Sequence, residues 1–264
     1  MSQKHIAVVQ RQFTRTLDAY SKYAVRDTAE VQQERADFAR PESADVVLDV
    51  ACGPGALALA LAPRVHFVVG VDLTLPMLLQ ARDFQAERKI LRVSFAQSEA
   101  ERLPFPDGAF SLVTCQFALH HVRKPEAALR EMTRVASSEG RLLIVDTLGP
   151  ESDEKWEPHN VIERLRDPSH VASWRLTTFL KLFEDLGLEI VRQRVRRTER
   201  SFNHWMLRAE LRAEDSRYVE ARKLLESSIP GDRAGFSAQA QGDDIRMVHH
   251  EGMFLLRKMV DVNS

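Results

Sequence analysis

Four residues define the first chemistry open to this chain: Asp49, Gly53, Gly55 and Asp72. Asp49 lies near the end of an apolar run, Val46 to Val50, followed by Ala51-Cys52-Gly53-Pro54-Gly55 and then Ala56 to Ala62, an alternation of Ala and Leu. This reads as a buried strand, a glycine turn and a helix, because residues without a Cβ let the backbone turn sharply and approach a ligand closely. Asp72 closes the next apolar run nineteen residues after Gly53, the place of a ribose-binding acid. Gly53-x-Gly55-x-x-Ala58 also satisfies the dinucleotide fingerprint, so spacing alone would admit a nicotinamide cofactor. Charge argues against it. Asp49 places a carboxylate where a pyrophosphate needs positive potential, and Pro54 removes an N–H that would cradle it. An acid beside a glycine turn suits a ligand with an ammonium group, and S-adenosylmethionine (SAM) offers that group, a ribose for Asp72 and no phosphate.

Proton-handling side chains follow further along. His120 and His121 come after the apolar run Phe110 to Cys115, Asp146 ends another, and His159 and His170 lie in a polar stretch. Strand ends face the cleft of a parallel α/β sheet. This favours His121 and Asp146, and with His170 they are the candidate catalytic residues. Each has an ordinary alternative: a histidine that fills a core, or an aspartate that caps a helix or positions a cofactor. The pair His249-His250 is read as structural. Arg192, Arg194, Arg196, Arg197 and Arg200 form a basic run in which strand alternation would set 192, 194 and 196 on one face, toward an anionic substrate or toward water. Cys52 and Cys115 are read as small buried hydrophobes beside the cofactor. No group of Cys and His has zinc-like spacing, so no metal is expected.

The elements that must carry these residues follow from periodicity. Ile6, Val9, Phe13, Leu17, Tyr20 and Ala24 recur at steps of three and four, an amphipathic helix, and a second helix covers about Ala29 to Ala39 before Pro41. From Asp45 onward apolar runs alternate with helical patterns, as in βαβ units. Strands are predicted at 46–50, 66–71, 92–95, 110–115, 141–147, 188–195 and 253–258. Helices are predicted at 75–86, capped by Thr74, at 125–135, and at 178–186, capped by Thr177. Glu151 to Trp174 reads as a polar excursion, and roughly fifty residues with helical patterns at 203–212 and 216–227 separate the last two strands.

The 264 residues, 44% of them hydrophobic, are enough for one α/β domain with additions. A formal net charge of −1 argues against bulk attraction to nucleic acid or an anionic membrane, and no stretch of 18 apolar residues or signal-like start occurs. The expectation is a cytoplasmic chain.

The runs VLDVACGPG, VVGVDLTLPMLLQAR from Val68, SEAERLPFPDGAFSLVTC from Ser98 and GRLLIVD from Gly140 resemble, in order, the motifs of class I SAM-dependent methyltransferases, specifically the branch similar to the ubiquinone/menaquinone biosynthesis enzymes. The likeness extends from about Gln12 to Leu188. It implies an α/β fold: a Rossmann-like doubly wound sheet, mostly parallel with an antiparallel last strand. The implied units are an N-terminal helical lid over 1–40, a SAM-binding core over 41–195 with an excursion at 150–175 near the substrate, a helical cap over 196–245 between strands six and seven, and a last strand and tail over 246–264. Carried over by position, Asp49, Gly53 and Gly55 would hold the methionine end, Asp72 the ribose, Leu73 and Met77 the adenine ring, and Glu99 and Ala100 the adenine edge; Tyr20, Ala51 and Gln116 complete the set. Three positions depart from the family pattern: Ala51 replaces a first glycine, Glu99 replaces Asp, and Ser111 stands where strand four commonly begins with Asp.

The implied activity is in-line transfer of the SAM methyl group to a small organic acceptor, of which a quinol-like ring is one class. The competing readings are an NAD(P)-dependent oxidoreductase on the same glycine turn and a non-catalytic SAM-binding protein.

Overall fold

A computed structural model describes residues 2–259, apart from the side chains of Arg26 and Asp27; the predicted tail over 260–264 lies outside the described residues. In chain order the elements are α1 (Gln3–Arg15), α2 (Leu17–Ser21) continuing into a π-helical turn (Lys22–Asp27), α3 (Ala29–Phe38), β1 (Val46–Val50), α4 (Ala56–Leu61), β2 (Phe67–Asp72), α5 (Leu75–Glu87), β3 (Val93–Gln97) and β4 (Phe110–Gln116). They continue with α6 (Pro125–Val135), β5 (Ala136–Leu148), α7 (Asp153–Arg166), α8 (Leu176–Asp185), β6 (Leu188–Ser201), α9 (Phe202–Leu207), α10 (Ser216–Ser228), β7 (Gln239–Gln241) and β8 (Asp244–Lys258).

The sheet order is β3-β2-β1-β4-β5-β8-β6, with β7 pairing to β8. Pairs among β1 to β5 are parallel, and β8 runs antiparallel between β5 and β6. The chain therefore reverses direction beside β1, where β1 and β4 separate toward their neighbours and leave a crevice at their carboxyl ends. One apolar core, including Leu57, Leu61, Val68 and Phe95, packs α3, α4 and α5 on one sheet face. A second, including Val113, Leu129, Met132, Phe179 and Phe254, packs α6 and α8 on the other. A third lies off the sheet and joins α7, α9 and α10 through Ile162, Phe202, Trp205, Leu225 and Phe236.

The structure extends several predicted elements. β6 continues six residues past Val195 and β8 begins nine residues before Met253, so the boundaries drawn at 195/196 and 245/246 fall inside strands. The polar excursion contains the helix α7, with Pro158 inside it. Thr177 lies within α8, whose N-cap is Arg175. The capping role passes to Glu151, whose carboxylate accepts the Thr177 N–H at 3.3 Å and the Thr177 hydroxyl at 2.6 Å. Thr74 does stand at the N-cap of α5, but its hydroxyl makes no capping bond.

Two cavities at the carboxyl ends of the strands

Three residues of the turn after β1 have left-handed backbone: Ala51 (φ 54°), Gly53 (53°) and Gly55 (80°). A Cβ on Gly53 would meet only Tyr20 Cε1 at 3.8 Å, whereas one on Gly55 would press to 3.0 Å from Phe95 Cζ. Gly53 thus keeps the turn open toward a cavity, and Gly55 lets α4 seat against β3 and α5. Asp72 ties this turn to the next one, its Oδ2 accepting the Gly53 N–H at 2.8 Å and its Oδ1 the Thr74 N–H at 2.8 Å.

A cavity of about 70 Å³ opens here, and Tyr20, Ala51, Gly53, Asp72, Leu73, Met77 and Ala100 line it, as do Ser98, Cys115 and Val122. Four predicted cofactor residues lie elsewhere. Asp49 is fully buried beneath the turn. Its Oδ1 accepts the Thr114 hydroxyl at 2.7 Å while Oδ2 has no hydrogen-bond partner. Burial pushes its carboxyl up to about 7. Gly55 heads α4, Glu99 pairs with Arg102 in a short bridge, and Gln116 accepts from Arg35 Nη1 at 3.3 Å in a second cavity. The residues present fit SAM: an acid on the cavity wall for a ribose, apolar side chains for an adenine, and an orphaned acidic oxygen under the glycine turn to balance an ammonium.

The second cavity, about 210 Å³, shares Phe13, Tyr20, Phe117 and His121 with the first, so these four side chains form the partition. Alone, the first cavity is far smaller than the roughly 300 Å³ at which ligand pockets begin; joined across the partition, the two approach that size. Tyr20 packs edge-on against Phe13, with centroids 5.6 Å apart. Burial pushes the Tyr20 hydroxyl up to about 12, with Asp72 adding to the effect.

Of the four imidazoles that line the second cavity, His120, His121 and His170 cluster together, with centroids 4.1 Å apart for the first pair and 5.4 Å for His120 and His170. The first two ride on a 3-10 turn, Leu119–His121. It is held by the Trp174 indole donating to the Leu119 carbonyl at 3.0 Å, the Val171 N–H to that of His120 at 2.8 Å, and His5 Nε2 to that of His121 at 2.7 Å. Phe117, just before it, has φ 51°, a strained value for an aromatic residue. Asp146 is fully buried and lines neither cavity. Its Oδ2 accepts the Leu119 N–H at 2.7 Å, and its Oδ1 accepts His120 Nδ1–H at 2.5 Å and the Thr147 N–H at 2.7 Å. Asp146 therefore orients His120 and does not itself face a substrate.

The three rings differ electrostatically. Burial drives His120 down, but the Asp146 charge and hydrogen bond outweigh it and hold the imidazole above its ordinary value. His121 donates from Nδ1 to Ser169 Oγ at 3.1 Å, whose hydroxyl donates to Asp167 at 2.5 Å. Burial, with His120 beside it, pushes His121 down to about 4. His170 donates from Nε2 to Asn160 Oδ1 at 2.9 Å, and burial places it well below the usual range. His159 is structural, stacked on Phe236 at 4.0 Å and bonded to the Ala234 carbonyl. His249, read as structural from sequence, does line the cavity and donates to Glu163 at 3.1 Å.

Sequence reasoning missed Tyr23, Arg35, Glu163, Arg166, Asp167 and Arg208, which also line this cavity, and Ser98 in the first. Helical charge on α3 and α7 reads as a solvated face, and only the basic run on β6 carried a signal. Arg192 and Arg194 do share a face, but it covers the Phe38 ring, at 4.3 and 5.7 Å.

Residues 48–144 match the methyltransferase domain family. The uncharacterised methyltransferase YcgJ of Bacillus subtilis is 42% identical over 137 residues, 52% of this chain and 54% of YcgJ. The demethylmenaquinone methyltransferase of Thermus thermophilus is 42% identical over 112 residues, 42% of this chain and 50% of that enzyme. The chain thus spans about half the length of these curated relatives. The crystal structure of BH2331 from Bacillus halodurans, described as a candidate methyltransferase, is 30% identical with a TM-score of 0.81, covering 87% of this chain and 99% of BH2331. With the motif order, the sheet order and the acid-bearing glycine turn all in agreement, the chain belongs to the class I SAM-dependent methyltransferase family.

Proposed function

We propose that this chain methylates a small acceptor held in the larger cavity, with His120 taking the acceptor's proton. Asp72 would receive the ribose hydroxyls of SAM, Leu73, Met77 and Ala100 would enclose its adenine, and the turn at Gly53 above Asp49 would receive its methionine end. The cofactor supplies a methyl carbon on a sulfonium, a good leaving group, so what is asked of the chain is orientation, exclusion of water and removal of a proton.

The observation that carries this reading is His120, held from behind by the buried Asp146 and facing a cavity that adjoins the glycine-turn cavity across a four-residue partition. With Nδ1 committed to Asp146, Nε2 of His120 holds the lone pair. It accepts the proton of an acceptor O–H or N–H as the acceptor's electron pair forms the new bond to carbon and the carbon–sulfur bond breaks. The buried Asp146 carboxylate stabilises the resulting imidazolium. His121 and His170 are too weakly basic for this step and serve as fixed hydrogen-bond partners.

A phenol-type hydroxyl meets these demands, and a quinone-pathway enzyme stands among the relatives. The two free thiols, Cys52 and Cys115, suit a reducing compartment such as the cytoplasm.

Calorimetric titration with S-adenosylhomocysteine and with NAD, followed by transfer of radiolabelled methyl from SAM to a panel of phenols, tests the reading. Homocysteine-adduct binding without NAD binding, and label in a phenol, support it. NAD binding in its place eliminates it, and tight SAM binding with no transfer to any acceptor leaves the non-catalytic alternative.

A further inference from the structure

We propose that the acceptor carries an anionic head group, a carboxylate or a phosphate, held in the larger cavity by Arg166, Arg200 and Arg208 with the Tyr23 hydroxyl. The proposal rests on the methyl-transfer reading for the word acceptor and on independent geometry for the anion.

All four side chains line the larger cavity and none lines the cofactor cavity. Alternation along β6 turns Arg196, Thr198 and Arg200 inward, and the first two of these register against Glu251 and His249 of β8, which line the same space. Arg166 ends α7, donates from Nε to the Trp205 carbonyl at 3.0 Å and lies 4.9 Å from the Trp205 ring centroid. Arg208 follows α9 and sits with Cζ 3.8 Å from the centroid of the Tyr23 ring, its buried Nε without a hydrogen-bond partner.

The other charges of the cavity are paired. Arg35 meets Glu251 at 2.8 Å, Arg196 meets Glu34 at 3.1 Å, and Glu163 accepts from His249 at 3.1 Å. Asp167 is spent on Ser169. Among residues with described side chains, no carboxylate lies within 4.0 Å of Arg166, Arg200 or Arg208. Three half-buried guanidiniums thus face one cavity with no carboxylate within 4.0 Å among the described side chains. Burial lowers Arg166 against the opposing pull of Glu163 and Asp167, with Arg200 adding to the fall; burial also brings Arg208 to about 10 against the pull of Tyr23, with Arg166 and Arg200 adding to it. Burial raises the Tyr23 hydroxyl, but the neighbouring Arg208 and Arg200 outweigh it and bring it below its ordinary value.

Desolvated charges left unpaired are expensive, and an oxyanion that accepts from planar guanidinium forks offsets the expense. The overall charge of −1 conceals this local surplus.

The test is calorimetric titration of the full chain, with and without S-adenosylhomocysteine, using benzoate, phenyl phosphate and the neutral benzyl alcohol. Benzoate or phenyl phosphate is expected to bind at least about tenfold more tightly than benzyl alcohol, and the tighter of the two identifies the head group. R200Q and R208Q are each expected to weaken the anion at least about tenfold while S-adenosylhomocysteine affinity holds. Y23F, which removes one hydroxyl and keeps the ring under Arg208, is expected to lose about threefold and serves if an arginine variant does not fold. Equal affinity for charged and neutral probes, or anion binding indifferent to all three substitutions, overturns the proposal. Loss of S-adenosylhomocysteine binding in the unsubstituted chain, with anion binding intact, would strike the methyl-transfer reading alone.

Discussion

Two adjacent histidines show how environment, and not residue type, assigns a role. His120 and His121 are indistinguishable in sequence, and strand-end placement favoured the second. In the fold, Asp146 sits under the first and a Ser169 hydroxyl under the second, so the first is held basic and the second is not. His120→Gln is expected to lower methyl transfer by about a hundredfold or more while leaving S-adenosylhomocysteine binding intact. Only neutral His120 accepts a proton, and its value lies above the ordinary 6.5. The wild-type rate should therefore climb with pH on the alkaline side of 6.5, and that climb should vanish in the Gln variant. A variant that keeps the climb would exclude His120 as the base. The glycine turn was legible because glycines and acids at that spacing answer a backbone demand. One position answers it badly: Ala51 holds φ 54°, where an L-residue pays roughly 1–2 kcal/mol. Glycine removes that strain but loses roughly 0.5–1 kcal/mol of unfolded-chain entropy. Ala51→Gly should thus stabilise by up to about 1 kcal/mol, a rise of about 2–4 °C in Tm by differential scanning calorimetry.

Elements were legible where they are apolar and obscure where they are charged. The predicted sixth strand stopped at Val195 because Arg196, Arg197 and Glu199 interrupt the apolar alternation, yet β6 runs on to Ser201, paired along its outer half with β8. Strands that carry polar residues toward a cavity on one face and toward water on the other have no hydrophobic period to read. α7 was obscured by Pro158, which breaks helical expectation although its fourteen-residue helix packs on α10. The N-terminal helices carry the amphipathic spacing seen in the sequence, and their register bears on both cavities. α1, α2 and Thr16 between them supply Val9, Phe13 and Tyr20 to the smaller cavity and Gln12, Phe13, Thr16 and Tyr20 to the larger one. A ligand spanning both must therefore be gripped by this cover. Amide exchange by mass spectrometry across residues 9–24 should slow by about tenfold or more when S-adenosylhomocysteine binds, because a ligand that favours the closed state suppresses local opening. Unchanged exchange there, with slowing confined to the turn after β1, would show that the cover takes no part in holding the cofactor.

At the scale of the whole molecule, the two cavities proposed for cofactor and acceptor rest largely on separate packing units. The cofactor cavity draws on β1, β2, β4 and the N-terminal helices, which rest on the two cores flanking the sheet. The far side of the larger cavity draws on α7 and the segment after α9, which rest on the third core, and on the outer half of β6, which pairs with β8. The first unit carries contiguous motifs and was readable as such. The second assembles Arg166, Arg200, Arg208 and Tyr23 from four separated stretches, so no local pattern announces it. Phe236 is fully buried at the centre of the third core, stacked 4.0 Å from His159 and within 6.5 Å of the Trp205 ring. Phe236→Ala is expected to destabilise the chain by about 3–5 kcal/mol, the scale for deleting a buried aromatic ring. Below its lowered melting temperature, the variant should bind S-adenosylhomocysteine within about threefold of the unsubstituted chain, because no cofactor-cavity residue packs on Phe236. Its affinity for the charged probe should fall by more than about tenfold, since Trp205 and His249, which border the arginine cluster, both lean on that ring. If both affinities fell in parallel, the two units would be one, and the division of labour between sheet and cap would have to be abandoned.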